Sequence, residues 1–394
     1  MSGSVANRGR QSVAYNTSKS ALLQLCRNLA AEWGPNSIRV NTISPGYVRT
    51  SLVSEKLDSD PEMSKRWSHG NPLGRIDEVP CDVKRWNAPP RQSVGEDEMP
   101  INPGPPPAKS KIGVNAILNH NTETMDRHTT SIFSEFSLEG KTAVVTGGNR
   151  GLGLEMALAY VEAGAHVYVI DLPSEPGEEF RQVAEHCKLM DRQIEYISAD
   201  VTNQDEMNEA MPYILEHSNT GTLDVCVACA GILQTYSALD YPIDKFRQML
   251  EVNTTGVFIT AQAAARVMHQ QEDVKCSIIL IASMSGTVVN RDQQWTAYNT
   301  SKAAVLQLGR NLAAEWGPMN IRVNTISPGY IRTNMVSGLL DSNPEMFRRW
   351  SDGNPLGRIG RPEELRGVAT WLASNASSFC NGADIIVSGG HTIW

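Results

Sequence analysis

An open α/β fold, with a parallel sheet covered by helices on both faces, is what this 394-residue sequence predicts for its latter two-thirds. Three observations predict it. From Phe133 onward, short apolar runs alternate with stretches of helical apolar spacing. The runs are nearly continuously apolar, as strands buried on both faces are. The first run ends in a glycine cluster, TGGNRGLG (Thr146–Gly153), and a helix-like stretch follows at once.

The elements read in order as follows. KTAVVTG is the first strand and GLGLEMALAYVEAG a helix. HVYVIDL is a strand, EFRQVAEHCKLM a helix, IEYISADV a strand and QDEMNEAMPYILEHS a helix. LDVCVACAG is the next strand, and PIDKFRQMLEVNTTGVFITAQAAARVMHQ reads as one long helix. SIILIAS is a strand, TAYNTSKAAVLQLGRNLAAEWG a second long helix, and IRVNTISP a strand. PEELRGVATWLAS is a helix and ADIIVSGG the last strand. The unit spans residues 133–394, about 260 residues, a size one doubly wound domain reaches.

The first 132 residues are of two kinds. Residues 1–79 duplicate residues 284–362: Met1–Ile76 is identical to Met284–Ile359 at 56 of 76 positions, without a gap. Both copies contain AYNTSK, NLAAEWGP, IRVNTISPGY and GNPLGRI. One repeat pair of this length is no solenoid. Residues 80–132, with NAPPRQSVGEDEMPINPGPPPAKSK, carry too little apolar surface to offset ordering entropy and read as a disordered linker.

Composition excludes several classes. Apolar residues make up 41% and charged residues 20%, as in a soluble globular protein. A net charge of −8 argues against a nucleic-acid partner. No apolar run reaches the roughly 18–20 residues that span a bilayer, and the first residues lack the apolar core of a secretory signal. Cys226 and Cys229 lie inside the apolar run DVCVACAG. They read as thiols of a buried strand; a redox pair or zinc site is the alternative, but no second Cys or His pair stands at zinc spacing, so no metal site is expected. The scattered, odd-numbered cysteines indicate a reducing, cytoplasmic setting.

Between strand and helix, Gly147, Gly151 and Gly153 let the backbone turn and approach a pyrophosphate, which the helix N-terminus would bind. Asp171, ending the second strand, can accept hydrogen bonds from both ribose hydroxyls of an adenosine and would repel a 2′-phosphate. Arg150 points the other way, since a guanidinium can hold that phosphate. NAD(H) is therefore favoured, with NADP(H) open through Arg150. Tyr298 and Lys302 stand four residues apart on one helix face. A nearby ammonium lowers a phenol's pKa, giving a group that exchanges protons near neutrality. Ser283 ends the strand before this helix, where a parallel sheet opens its ligand crevice; Ser285 is its rival. Asn253 is a poor interior helix former, which hints at a task.

Together these residues resemble those of the short-chain dehydrogenase/reductase family, over Phe136 to Trp394. TGGNRGLG matches the family's TGxxxGxG. Asp200-Val201 matches the pair by the adenine, and SPGYIRT (Ser327–Thr333) matches the stretch that contacts nicotinamide. Where the family has NNAG, this chain has ACAG (Ala228–Gly231). The resemblance implies Ser283, Tyr298, Lys302 and Asn253 as the catalytic tetrad. It implies Thr146, Gly147, Asn149, Arg150, Gly151, Leu152, Gly153, Asp171, Asp200, Val201, Ala230, Gly231, Tyr298, Lys302, Pro328, Gly329, Ile331 and Thr333 around the cofactor. SIILIASMSGTVVN and the ending GGHTIW look like fungal polyol and ketose members. What this implies is hydride transfer between nicotinamide and a secondary alcohol carbon, with Tyr298 moving the proton, Ser283 holding the oxygen, Lys302 tuning Tyr298 and holding the ribose, and Asn253 positioning a water. Asn290, Arg291 and Gln294 could meet a hydroxyl-rich substrate. Tyr330 and residues 334–350 should cover it, with Met335, Leu339, Leu340 and Met346 packing. A homo-oligomer, dimer or tetramer, is implied as well.

The duplicate has its own Tyr15 and Lys19 but no counterpart of the glycine loop, Asp171, Asn253 or Ser283, so it is expected to be non-catalytic. Either it is a remnant of a tandem duplication or fusion, with the enzyme starting near Met125, or it is a docking module. In this family the helix bearing Tyr and Lys commonly packs on its copy in a neighbouring subunit, and residues 13–33 repeat that helix. Rival functions are a 3-oxoacyl thioester reductase, which an acidic chain serves poorly as a partner for an acidic carrier, and a non-catalytic scaffold, against which the intact tetrad argues.

Overall fold

The computed structural model describes residues 13–33, 38, 40–42, 48–49, 77–78, 132–272, 274–333 and 343–393. The expected linker, Ile132 aside, and Met335, Leu339 and Leu340 lie outside the described residues. The chain divides into two compact units. One holds residues 43–131, in which Val48–Arg49 pairs in parallel with Asp77–Glu78. The other holds residues 2–42 together with 132–394.

In the second unit the sheet comprises β1 (Thr142–Thr146), β2 (His166–Asp171), β3 (Ile194–Ser198), β4 (Val225–Ala228), β5 (Cys276–Ile281), β6 (Ile321–Pro328) and β7 (Asp384–Val387). All neighbours pair in parallel, in the order β3-β2-β1-β4-β5-β6-β7. The order reverses direction between β1 and β4. At such a point the loops leaving two adjacent strands part to opposite faces and open a crevice.

The helices are α1 (Val13–Trp33), α2 (Gly151–Glu162), α3 (Glu178–Leu189), α4 (Gln204–His217), α5 (Ile243–Leu250), α6 (Val257–Met268), α7 (Thr296–Trp316), α8 (Pro344–Asp352) and α9 (Arg366–Ala373). One face of the sheet buries Tyr168, Ile170 and Leu280 against α4, α6 and α7, through Met207, Ala264 and Leu308. The other buries Val145, Val169 and Ile279 against α2, α3 and α9, through Met156, Phe180 and Leu372. These continuous apolar strands are why the sequence reads as a sheet covered twice. None of the described helices is long and apolar enough to cross a membrane.

Two elements differ from the sequence expectation. The long helix expected from Pro242 is interrupted: α5 and α6 are joined by a π-helical turn, Glu251–Gly256. A π turn inserts an extra residue in the helical ladder and re-aims one side chain. That side chain is Asn253, fully buried. The stretch ahead of α9 also contains α8, whose start is fixed by Asn343 accepting from the Met346 amide (3.0 Å) and by Pro344 at the first position.

Candidate active site

The crevice begins with the turn from β1 to α2. Gly147 has φ +68, and a Cβ there would lie 2.7 Å from Ala230 Cα. Only glycine allows the loops after β1 and β4 to touch. A Cβ on Gly153 would lie 2.3 Å from the Gly147 carbonyl oxygen, which locks α2 against the turn. Gly151, φ +60, has open space in front of it. Arg150, the residue before α2, makes no capping bond with its side chain. The space in front of Gly151 thus lies beside the positively polarised first turn of α2, where a pyrophosphate would be favoured. Gly148, which the sequence reading passed over, is equally constrained: a Cβ would meet Val169 at 2.8 Å.

The rim of this cradle is built from its own residues. Asp171 ends β2 and accepts from the Asn149 amide (3.1 Å) and the Leu172 amide (2.8 Å). Asn149 in turn accepts from the Gly177 amide at 2.7 Å. Asp200 accepts from the amide and hydroxyl of Thr202, both at 2.8 Å, and Val201 is buried against Gly256. Thr146 Oγ1 accepts from the Cys229 and Ala230 amides at 3.2 and 3.4 Å, so a β1 hydroxyl anchors the ACAG turn. Leu152 packs into the core of the α2 face. On the far side, Pro328 ends β6, and Gly329 passes so close to Ser388 that a Cβ would come within 2.6 Å of its Cα. Ile331 bridges in parallel to Gly360, and the Thr333 amide bonds the Ile331 carbonyl at 2.9 Å.

The reacting end lies between β4, β5 and α7. Ser283 is buried and accepts from the Ser285 amide at 3.1 Å. Its side chain also hydrogen-bonds Tyr298. Ser285, its rival, is buried and directs its amide to Ser283. Lys302 Nζ donates to the Ile281 carbonyl (2.8 Å) and lies 5.7 Å from the centroid of the Tyr298 ring. Gly231 borders both: a Cβ there would stand 3.2 Å from Asn253 Oδ1 and 3.6 Å from Lys302 Nζ. Asn253 clamps the chain after β4, its Oδ1 accepting from the Ile232 amide (2.8 Å) and its Nδ2 donating to the Ile232 carbonyl (2.9 Å) and to Ser301 Oγ (3.2 Å).

The electrostatics correct one expectation. The ammonium does not leave the phenol below its ordinary value. Burial raises Tyr298, and the Ser283 hydrogen bond opposes this only in part. Lys302 itself is pulled down to about 8 by burial. Burial also pushes the thiols of Cys226 and Cys229 up to about 12, which leaves them protonated and unreactive. Among the described residues no group of three or more His, Cys, Asp or Glu is placed to hold a metal.

Beyond Tyr298 lies an aromatic wall that the sequence reading largely missed. Tyr330 stacks on Trp350 with centroids 3.9 Å apart, and Trp295 and His391 meet the Tyr330 ring edge-on at 6.3 and 4.9 Å. Met284, Met346 and Ile359 complete the cluster, and Tyr298 packs against it. Asn290 is buried, donates to Tyr330 Oη at 3.1 Å, and leaves its own Oδ1 unpartnered. Arg291 and Gln294 are exposed. Trp295 sits directly before α7 and Trp350 recurs in the duplicate as Trp67, but nothing in their spacing announced a shared wall.

A family model described as enoyl-(acyl carrier protein) reductase matches residues 1–86 and 147–392. The chain belongs to the short-chain dehydrogenase/reductase family. It is 38% identical over 262 residues to the sorbose reductase of Schizosaccharomyces pombe, covering 66% of this chain and 98% of that one. It is 35% identical over 282 residues to the ribulose-forming D-arabinitol 2-dehydrogenase of Scheffersomyces stipitis, covering 68% and 100%. Its fold overlays a gluconate 5-dehydrogenase of Burkholderia cenocepacia, solved with NADP and tartrate, with a TM-score of 0.62, 30% identity, and coverage of 67% and 100%. As a member of this family the chain is an NAD(P)-dependent oxidoreductase acting between an alcohol and a ketone. The model's match to residues 1–86 extends the family likeness into the duplicate.

Proposed function

We propose that this short-chain dehydrogenase/reductase interconverts a polyol and the corresponding ketose, with NAD(H) as its preferred cofactor. The observation that carries the reading is the Ser283–Tyr298–Lys302 cluster at the foot of a glycine-walled cradle, facing the Tyr330–Trp350 wall. Relatives whose names specify sorbose and arabinitol support the substrate class. When bound, the nicotinamide supplies the hydride acceptor or donor.

The protein's own residues do the rest. Tyr298 Oη gives its proton to a carbonyl oxygen in reduction and takes it from a hydroxyl in oxidation. Ser283 Oγ hydrogen-bonds that same oxygen as its charge changes. Lys302, beside the ring, favours the phenolate and reaches toward the ribose. Asn253 acts through the backbone it clamps, by which the Ile232 carbonyl is presented to a relay water. Gly147, Gly151, Gly153 and the α2 amides would hold the pyrophosphate. Asp171 would hold the adenosine ribose, flanked by Asp200 and Val201. Ala230, Gly231, Pro328, Gly329, Ile331 and Thr333 would border the nicotinamide half. Asn290, whose buried Oδ1 has no partner, is the polar group best set to meet a substrate hydroxyl. Tyr15 and Lys19 have no catalytic role. The reading includes a homo-oligomer working in the cytoplasm, in keeping with six free thiols among the described residues.

The full chain should be assayed against a panel of polyols and ketoses, with an acetoacetyl thioester as a separate arm, using NAD(H) and NADP(H) in parallel. Turnover of a ketose with NADH, and a kcat/KM for NAD(H) above that for NADP(H), is expected. Turnover confined to the thioester would replace the substrate class, and a preference for NADP(H) would move the weight from Asp171 to Arg150.

A further inference from the structure

The seat of α1 on α7 carries an inference about assembly. The face α1 turns inward is a polar stripe one residue in four: Asn16, Ser20, Gln24 and Asn28, with Thr17 beside it, all buried. The contacts are reciprocal. Asn16 Nδ2 donates to Asn311 Oδ1, and Asn299 Nδ2 donates to Asn28 Oδ1, both at 2.8 Å. By the repeat, Asn16 corresponds to Asn299 and Asn28 to Asn311. Each helix therefore offers its first asparagine to the other's second. The corresponding hydroxyls of Thr17 and Thr300 also share a state, both buried without a partner.

Reciprocity of this kind is the geometry of two identical surfaces related by a two-fold axis: residue i meets j, and j meets i. Here the two surfaces belong to one chain. Four of the five buried α1 residues recur unchanged on α7, as Asn299, Thr300, Gln307 and Asn311; only Ser20 differs, as Ala303. The longer contacts have duplicates too. Gln24 Nε2 donates to the Ser285 and Val288 carbonyls, both at 3.0 Å, and Glu32 Oε1 accepts from the Ala238 amide at 2.7 Å. Their counterparts on α7 are Gln307 and Glu315. A second copy of the chain, docking its α7 at this place, would bring the same asparagines, glutamine and glutamate to the same partners.

We propose that α1 fills, within each chain, the seat that α7 of a second copy would otherwise take. The duplicate is then an intramolecular stand-in for a subunit. It leaves the α7 face closed to self-association and holds the full chain at half the subunit count that the open face would produce.

Two experiments on the full chain test this, and neither depends on the substrate. In the first, Asn16→Cys and Asn311→Cys are combined and oxidised. A disulfide within one chain, without a dimer band on a non-reducing gel, is expected; an interchain disulfide or none overturns the proposal. In the second, Ser20→Arg with Gln24→Glu crowds the stripe and sets a carboxylate against two carbonyls, leaving α7 untouched. Hydrogen exchange should show the α1 amides deprotected, and light scattering and native mass spectrometry should show the subunit count doubled. Adding Asn311→Arg to that variant should return the count to that of the wild type. An unchanged count in a variant with deprotected α1 amides overturns the proposal. So does a variant whose α1 amides keep full protection, because the seat then does not rest on these contacts.

Discussion

Helices α1 and α7 carry nearly the same residues, and their internal geometry is nearly the same. Arg27 donates to Gln24 Oε1 at 3.0 Å and Arg310 to Gln307 Oε1 at 3.1 Å. Asn28 donates to the Gln24 carbonyl at 2.8 Å and Asn311 to the Gln307 carbonyl at 2.9 Å. Even the Tyr-x3-Lys pair recurs, with Lys19 Nζ 5.2 Å from the Tyr15 ring and Lys302 Nζ 5.7 Å from the Tyr298 ring. The surroundings differ. Tyr15 is 57% exposed, whereas Lys302 is 4% exposed and Tyr298 hydrogen-bonds Ser283. The lesson is that a Tyr-x3-Lys helix is only local geometry. On the proposed function, chemistry requires the strand end, the glycine cradle and the burial around it as well.

The largest expected effect would break that comparison outright. Tyr298→Phe should lower kcat by about 10²–10⁴-fold, the usual reach of one proton-transferring group, while Tyr15→Phe leaves kcat and KM unchanged. Parallel steady-state kinetics decide it; a loss in the Tyr15 variant would mean the duplicate reaches a reacting centre. Next is the cradle, which α1 lacks. Gly147→Ala puts a methyl 2.7 Å from Ala230 Cα at a φ of +68, so the turn must open. Nicotinamide nucleotide affinity, read by fluorescence titration, should fall by about tenfold or more, as a strain above about 1.4 kcal/mol implies.

Of intermediate size is the pH response. The Tyr298 phenol is raised by burial, so it is protonated across the neutral range. Reduction, which needs the phenol, should be flat through neutrality and fall only at alkaline pH. Oxidation, which needs the phenolate, should climb with pH over that window. Lys302 gives a second titration. Its folded value is about 8, against an ordinary 10.5. Between these, the unfolded chain keeps a proton that the folded one has released, so this group's contribution to stability rises with pH from about 8. The stability of the wild type minus that of Lys302→Met should therefore rise with pH in that window.

Much of this was legible in the sequence. All seven strands of the large sheet were: the central ones because buried parallel strands are rich in apolar residues, the half-buried edge strands β3 and β7 because they take their turn in the alternation with helices. The glycine turn after β1 was legible too, as was the placing of Ser283 beside Tyr298 and Lys302, since a strand end and a helix face are each marked locally. What was not legible depends on distant partners. The π turn at Asn253 answers to Ile232 and Ser301, not to its own neighbours. The Tyr330–Trp350 stack joins residues whose spacing carries no period. The raised phenol was misjudged because a pair four residues apart shows the charge but not the desolvation. The repeat was visible at once, but the reciprocity of Asn16 with Asn311 and Asn28 with Asn299 required the packed helices.

The smallest effect separates two things α1 does. Asn16→Ala and Gln24→Ala each remove buried hydrogen bonding of the seat, about 1 kcal/mol per bond, and both should weaken α1 protection in hydrogen exchange. They differ in where the lost contact leads. The Gln24 bonds hold the carbonyls of Ser285 and Val288, and the Ser285 amide is the donor that fixes Ser283 Oγ. Asn16 Nδ2 donates to Asn311 on α7. Gln24→Ala should therefore raise KM and lower kcat by a few-fold, the scale of a slightly misplaced polar contact, while Asn16→Ala leaves both within error. Equal kinetic effects from the two variants would mean that α1 acts only as a cover for α7. A KM shift confined to Gln24→Ala would make a residue of the duplicate a positioning element of the site it cannot form by itself.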